Sequence, residues 1–125
     1  MSVADNKAVA VDFYSAAFDG KPDIASANHV GRIYIQHSPQ YADGSEAFIG
    51  FIRTMRDQFP NLLLEIKRVI AEGDLVVLHS HLTLNPGEPG MALADFFRIE
   101  EGKVVEHWDV VQSVPHTSAN SNTMF

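Results

Sequence analysis

From residue 62 onward nearly every stretch of the chain reads as β-strand, and this constrains the fold more than any other feature. The runs LLLEIKRVIA, LVVLHSHLTL, MALADFFRI and KVVEHWDVVQ are rich in β-branched, aromatic and aliphatic residues. EGD, NPGEPG and EEG separate them, and all three carry turn chemistry. Short connections make consecutive strands neighbours, so the four runs form an antiparallel meander. The earlier part of the chain has helical spacing instead. Ala10, Phe13, Tyr14, Ala17 and Phe18 place one apolar face on a helix over residues 3–19, with Ser2 as its cap and Asp5 three residues on. Pro22 opens a short second helix that runs to about Asn28, and RIYIQHSP is a strand that Pro39 ends. Ser45 is the expected cap of a third helix, whose buried stripe is Phe48, Ile52, Met55 and Phe59 and which Pro60 closes. Helices first and a meander afterwards define an α+β fold.

The 125 residues suit one domain, 1–125, ending in a small, polar tail at about 113–125 that is either disordered or laid against a partner. Several strands are apolar on both faces: Val76, Leu78, Leu82 and Leu84 oppose Leu75 and Val77. Such a sheet has to be covered twice. The helices cover one face, and a second copy of the chain, in a homodimer, is expected on the other. Sixteen acidic residues against nine basic ones give a formal charge of −7, which excludes a phosphate-binding surface and hence a nucleic-acid partner. Nothing in the composition points to a membrane surface. There is no cysteine, which rules out disulfides, thiolate metal sites and a cysteine nucleophile, and the N-terminus lacks the pattern of a signal peptide. A cytoplasmic location fits both observations.

Polar residues interrupt the strands in one region. Asp95 sits between Leu93 and Phe97 on an otherwise apolar strand face. Burial there disfavours the charged carboxylate and raises its pKa. With EEG read as a three-residue turn and Gly102 in the left-handed conformation, Asp95 pairs with His107, and Asp109 follows on the same face. A two-residue turn would bring Trp108 opposite Asp95 instead. His79 and His81 share one face of the preceding strand and are expected near Asp95, while His37, at the end of the first strand, stands at the mouth of the same cavity. Each has a plain alternative: Asp95 in a structural ion pair, the histidines in the core or an interface, Trp108 as packing. The convergence of several titratable groups on one apolar face favours function. Arg98 is expected outside, paired with Glu106, and Glu100 and Glu101 form a solvated turn. His79, His81 and Asp95 form no recognised metal-binding spacing, so no metal is assigned. NPGEPG precedes a strand rather than a helix and is not a phosphate loop.

Three stretches, YIQHSPQYADG, DFFRIEEGKVVEHWDVVQ and TSANSNTMF, resemble the SnoaL-like group of the nuclear transport factor 2-like superfamily. The resemblance implies a cone-shaped half-barrel of curved antiparallel sheet covered by three N-terminal helices, with a deep apolar pocket and dimers formed through the outer sheet face. Related enzymes include polyketide cyclases, ketosteroid isomerase and scytalone dehydratase. In the cyclases a histidine and an aspartate on neighbouring strands resemble Asp95 and Asp109 here, with aspartate replacing that histidine. In ketosteroid isomerase a neutral buried aspartic acid and a helix-1 tyrosine resemble Asp95 and Tyr14. The base of that enzyme falls near Ser38, which argues against steroid isomerisation itself.

Two functions follow as expectations. The first is cofactor-free acid/base catalysis on a small apolar carbonyl compound: aldol condensation or cyclisation, isomerisation or dehydration. Asp109 or His107 would be the base, and Asp95 kept protonated, or Tyr14, would donate to the oxyanion. His81 or His79 would orient or relay, and Tyr14, His37, His79, Phe97 and Trp108 would contact the substrate. The second is a non-catalytic small-molecule-binding or dimeric interaction module of the same fold.

Overall fold

A computed structural model describes residues 2–125. The elements are α1 (Val3–Phe18), α2 (Pro22–His29), β1 (Val30–Gln36), α3 (Glu46–Gln58), β2 (Leu63–Glu72), β3 (Leu75–Thr83), β4 (Met91–Glu100) and β5 (Lys103–Ser113). The expected capping box begins α1: the Asp5 N–H donates to Ser2 Oγ at 3.1 Å, and the Ser2 N–H donates to Asp5 Oδ2 at 2.9 Å. Ser45 precedes α3, but its side chain makes no capping bond because its backbone is already helical (φ −85°, ψ −19°). A capping side chain needs an extended backbone to reach back to the helix N–H groups.

The sheet order is β1-β5-β4-β3-β2. The meander is antiparallel, as its short turns require, and β1 adds a parallel edge strand beside β5. The sheet is curved and unclosed, and the helices pack inside the curve. Ala10, Phe13, Tyr14, Ala17 and Phe18 of α1 are buried there together with Phe48, Ile49 and Ile52 of α3 and Val76, Leu78, Phe97 and Val104 of the sheet. Phe13 and Phe97 are fully buried and meet edge to face at 6.0 Å. Burying a side chain of that size contributes roughly 2–3 kcal/mol. These two rings anchor α1 against the middle of β4.

The β4–β5 hairpin departs from both expected registers. Glu101 (φ 50°) and Gly102 (φ 75°) make a two-residue turn with both residues left-handed, so Glu100 pairs with Lys103 and Ile99 with Val104. The register then shifts, and Arg98 pairs with Glu106. Val105 is the extra residue of this β-bulge. Beyond it Phe97 faces His107, Phe96 faces Trp108, and Asp95 faces Asp109. The bulge restores His107 and Asp109 to the Asp95 side of the sheet and changes the direct partner. A Cβ on Gly31 of β1 would come within 2.8 Å of Val105 Cγ1. Glycine is therefore what lets the bulged valine pack inward.

The tail does not project from the molecule. The Val114 N–H donates to Gly90 O at 2.9 Å, and the Phe125 ring lies on His81 (4.2 Å between centroids, 23°) and beside His79 (5.6 Å). It covers the outer face of β2 and β3.

Candidate functional site

Asp95 and His107 are each 1% exposed. His107 Nε2 lies 2.8 Å from Asp95 Oδ1, and the Tyr14 hydroxyl donates to the same oxygen at 2.8 Å. α1 supplies the tyrosine because residue 14 falls on its buried stripe, and the bulge in β5 supplies the histidine. Gln36, the last residue of β1, accepts on Oε1 from the Ser38 N–H (3.1 Å) and lies 2.7 Å from His107 Nδ1. Burial is the main force on Asp95 and pushes its carboxyl above the usual carboxylate range, against the opposing pull of His107 and Tyr14. Burial also raises the Tyr14 hydroxyl, and the nearby Asp95 raises it further, so Tyr14 stays a donor.

All three tyrosines of the chain gather at this cluster. Tyr34 and Tyr41 are both raised, first by burial, and both respond to the charges of Asp95 and Asp109. Asp109 is half-buried, and its carboxylate, the Asp95 carboxylate and the His107 ring offer atoms that all lie within 4.8 Å of one another. That spacing is compact enough for a cation. Because Nε2 and Oδ1 are already at hydrogen-bond distance, we read the trio as a cluster that holds a proton. Asp95 Oδ2, Gln36 Nε2, Ser38 Oγ and Ser80 Oγ are buried without a hydrogen-bond partner among the described residues. Ser38 itself is 2% exposed and carries no carboxylate.

The other expected site residues stand elsewhere. His79 and His81 are on the outer face: β3 pairs with β4 so that Leu78, not a histidine, lies opposite Asp95, and the buried residues of β3 are Val76, Leu78, Ser80 and Leu82. The NPGEPG loop sets that register, and a shift of one residue decides the face. His81 Nε2 lies 2.7 Å from Pro89 O, and His79 contacts Arg68. His37 and Trp108 also face outward, their rings stacked at 4.8 Å. His37 Nε2 is 2.7 Å from Glu106 Oε2, and Arg98 Nε donates to Glu106 Oε1 at 2.7 Å, as expected for that pair. Contact with His37 first, and Arg98 second, holds the Glu106 carboxyl below its ordinary range. Phe97 is inside, 5.0 Å from the His107 ring, and Asp95 is reached from both sides by buried aromatic groups. Gln36 was missed by sequence reasoning; its place at a strand end beside the HS dipeptide carried no recognisable signal.

Aromatic rings pack closely beside Asp95. Phe48 stacks on Tyr14 (5.9 Å, 5°), and Phe97 meets Tyr14 edge to face at 5.2 Å. Two open clefts lie on the outer face of the sheet. One of about 440 Å³ is lined by Leu75, Phe96, Trp108, Asp109 and Val110. Another of about 540 Å³ lies between the tail and Lys67, Arg68 and His81.

The fold has clear counterparts. AclR from Streptomyces galilaeus, considered a candidate hydroxylase, is 26% identical, with 89% of this chain and 91% of that chain covered and a TM-score of 0.74. TsrD from Streptomyces laurentii is 23% identical over 89% of this chain and 90% of that one, with a TM-score of 0.71. A candidate polyketide cyclase from Acidithiobacillus ferrooxidans is 22% identical over 89% and 91%, with a TM-score of 0.69. No curated protein matches the chain. No helix of the described residues is long and apolar enough to cross a membrane. Residues 8–118, which include every member of the Asp95 cluster, match the SnoaL-like polyketide cyclase family, and the chain belongs to that family.

Proposed function

We propose that the protein performs cofactor-free acid/base chemistry on a small apolar carbonyl compound. One observation carries this reading: a sealed carboxyl, Asp95, shares a hydrogen with His107 and receives another from Tyr14, while a second carboxylate, Asp109, stands beside it only half-buried. Two carboxyl groups in such different surroundings suit opposite roles. Asp109, half-buried, takes the proton when the α-C–H bond of the substrate breaks. The electron pair moves to the carbonyl oxygen, and the proton held between Asp95 and His107 neutralises that oxygen. Aldol condensation, isomerisation and dehydration all begin this way, and none requires a cofactor. The aromatic rings of Tyr34 and Phe97 against His107 suit an apolar substrate. His79 and His81 have no part in this scheme, since they face away.

The packed interior favours a second reading. Phe48, Tyr14 and Phe97 leave little room beside Asp95, which suits a binding or interaction module whose polar cluster only specifies the core. The test is turnover of enolisable cyclic ketones and β-keto esters by wild type and Asp109→Asn. Loss of about 10²- to 10⁴-fold in the variant supports the catalytic reading. Turnover that survives the substitution removes Asp109 from the chemistry, and binding without turnover supports the module.

We further infer a homodimer through the part of the outer face that the tail leaves bare. Ile70 (60% exposed), Leu75, Phe96 and Val110 (67%) form an apolar surface there, which a second copy would cover.

A further inference from the structure

We propose that Gln36 is a positioning residue that holds the hydrogen of His107 on Nδ1 and thereby keeps the Asp95–His107 pair protonated as an acid. This rests on the catalytic reading for its purpose but on hydrogen-bond geometry for its substance. The Ser38 backbone N–H has only a hydrogen to offer, so the Gln36 atom it meets at 3.1 Å is the amide oxygen. The same oxygen lies 2.7 Å from His107 Nδ1, so Nδ1 must carry the hydrogen between them. Turning the amide over would set its NH2 against the Ser38 N–H, donor to donor.

The consequence lies at the other ring nitrogen. Nε2 is 2.8 Å from Asp95 Oδ1. With Nδ1–H in place, one further hydrogen between Nε2 and Oδ1 satisfies every contact: either Oδ1–H donates to Nε2, or Nε2–H donates to Oδ1. Removing that hydrogen leaves two poor choices. If Nδ1 keeps its hydrogen, the Nε2 lone pair faces a bare carboxylate. If the hydrogen moves to Nε2, the Nδ1 lone pair faces the Gln36 oxygen. Both place lone pair against lone pair in a site sealed from water, where the mismatch is not screened. Gln36 therefore raises the proton affinity of a pair it touches at only one end.

The groups facing the pair are Tyr14 from α1, Tyr34 from β1, Tyr41 from the segment before α3, and Asp109 from β5. β3 contributes Leu78 opposite Asp95, together with neutral Ser80. The tyrosines remain protonated, and Asp109 acts in the same direction as Gln36, since its charge also disfavours an ionised Asp95. The Gln36 effect must therefore be isolated by changing Gln36 alone.

The experiment is ¹⁵N NMR of the His107 ring in wild type, Gln36→Leu and Gln36→Glu, titrated with acid and base. In wild type, Nδ1 should keep a bonded hydrogen at every pH at which the fold persists. The proton shared with Asp95 should leave at a pH about one unit or more higher than in Gln36→Leu. Gln36→Glu keeps an oxygen acceptor for both partners and adds charge, so its midpoint should move upward from wild type. A wild-type ring with Nε2–H and a bare Nδ1 overturns the proposal, as does a midpoint that both variants leave unchanged. If Gln36→Leu fails to fold, the wild-type spectrum and Gln36→Glu still decide the question. A Nδ1–H ring in a protein that turns over no carbonyl compound supports the positioning role and counts against the catalytic reading.

Discussion

Removing the Tyr14 hydroxyl is the sharpest probe of the charge on Asp95. Tyr14→Phe deletes one donor to a carboxyl that is 1% exposed, at a bond of 2.8 Å, and keeps the ring that packs against Phe48 and Phe97. A hydrogen bond to a neutral acceptor contributes about 0.5–1.5 kcal/mol, and one to a charged acceptor about 1.5–3 kcal/mol. Burial raises the pKa of Asp95 above its ordinary 3.8. The folded chain thus holds a proton that the unfolded chain releases. The stability contributed by that proton is complete below the unfolded value and is lost as pH rises through the folded value. The loss from Tyr14→Phe should therefore be about 1 kcal/mol at about pH 5, or about 3–5 °C in Tm for a chain of this length, and larger at about pH 8 if the pair has ionised by then. Urea unfolding at both pH values measures it, with matched m-values as the check that the unfolded states agree. A loss near 3 kcal/mol that does not change with pH would mean a permanently ionised Asp95 and would refute the reasoning. A loss of only a few tenths would mean the hydroxyl is not bonded there.

Other perturbations read out other parts of the structure. Asp109→Asn should remove activity while costing less than about 1 kcal/mol in stability, because Asp109 is half-buried; thermal unfolding beside the turnover assay separates the two. Gly31→Ala forces a Cβ to within 2.8 Å of Val105 Cγ1. It should destabilise by about 1–3 kcal/mol and disturb the His107 NMR signals, because Val105 is the bulge that orients His107. Val110→Asp places a charge on the bare apolar face and should convert a dimer to a monomer in light scattering; a mass unchanged from wild type, whether monomer or dimer, would count against that interface.

The faces of β4 and β5 were legible because side chains alternate along a strand. Asp95, His107 and Asp109 have matching parity in any odd-length connection, and their shared side survived a wrong choice of turn. Their direct partners were not legible. A two-residue turn followed by a bulge at Val105 pairs Asp95 with Asp109, and nothing local distinguishes a bulged valine from a paired one. The same limit misplaced His79 and His81: within β3 they share a face, but that face relative to Asp95 depends on how the NPGEPG loop closes.

By itself the sequence determined the order of helices and strands, the turn at Gly102, the capping box at Ser2 and the oddity of Asp95, because each follows from neighbours a few residues away. Only the tertiary structure decided which groups meet Asp95. Tyr14 lies 81 positions away in the chain and Gln36 lies 71 from His107, and their contacts come from α1 packing on the sheet and from the parallel pairing of β1 with β5. Packing also stacked Phe48 on Tyr14 and folded the tail onto His79 and His81, since apolar area is buried wherever shapes allow, regardless of sequence distance.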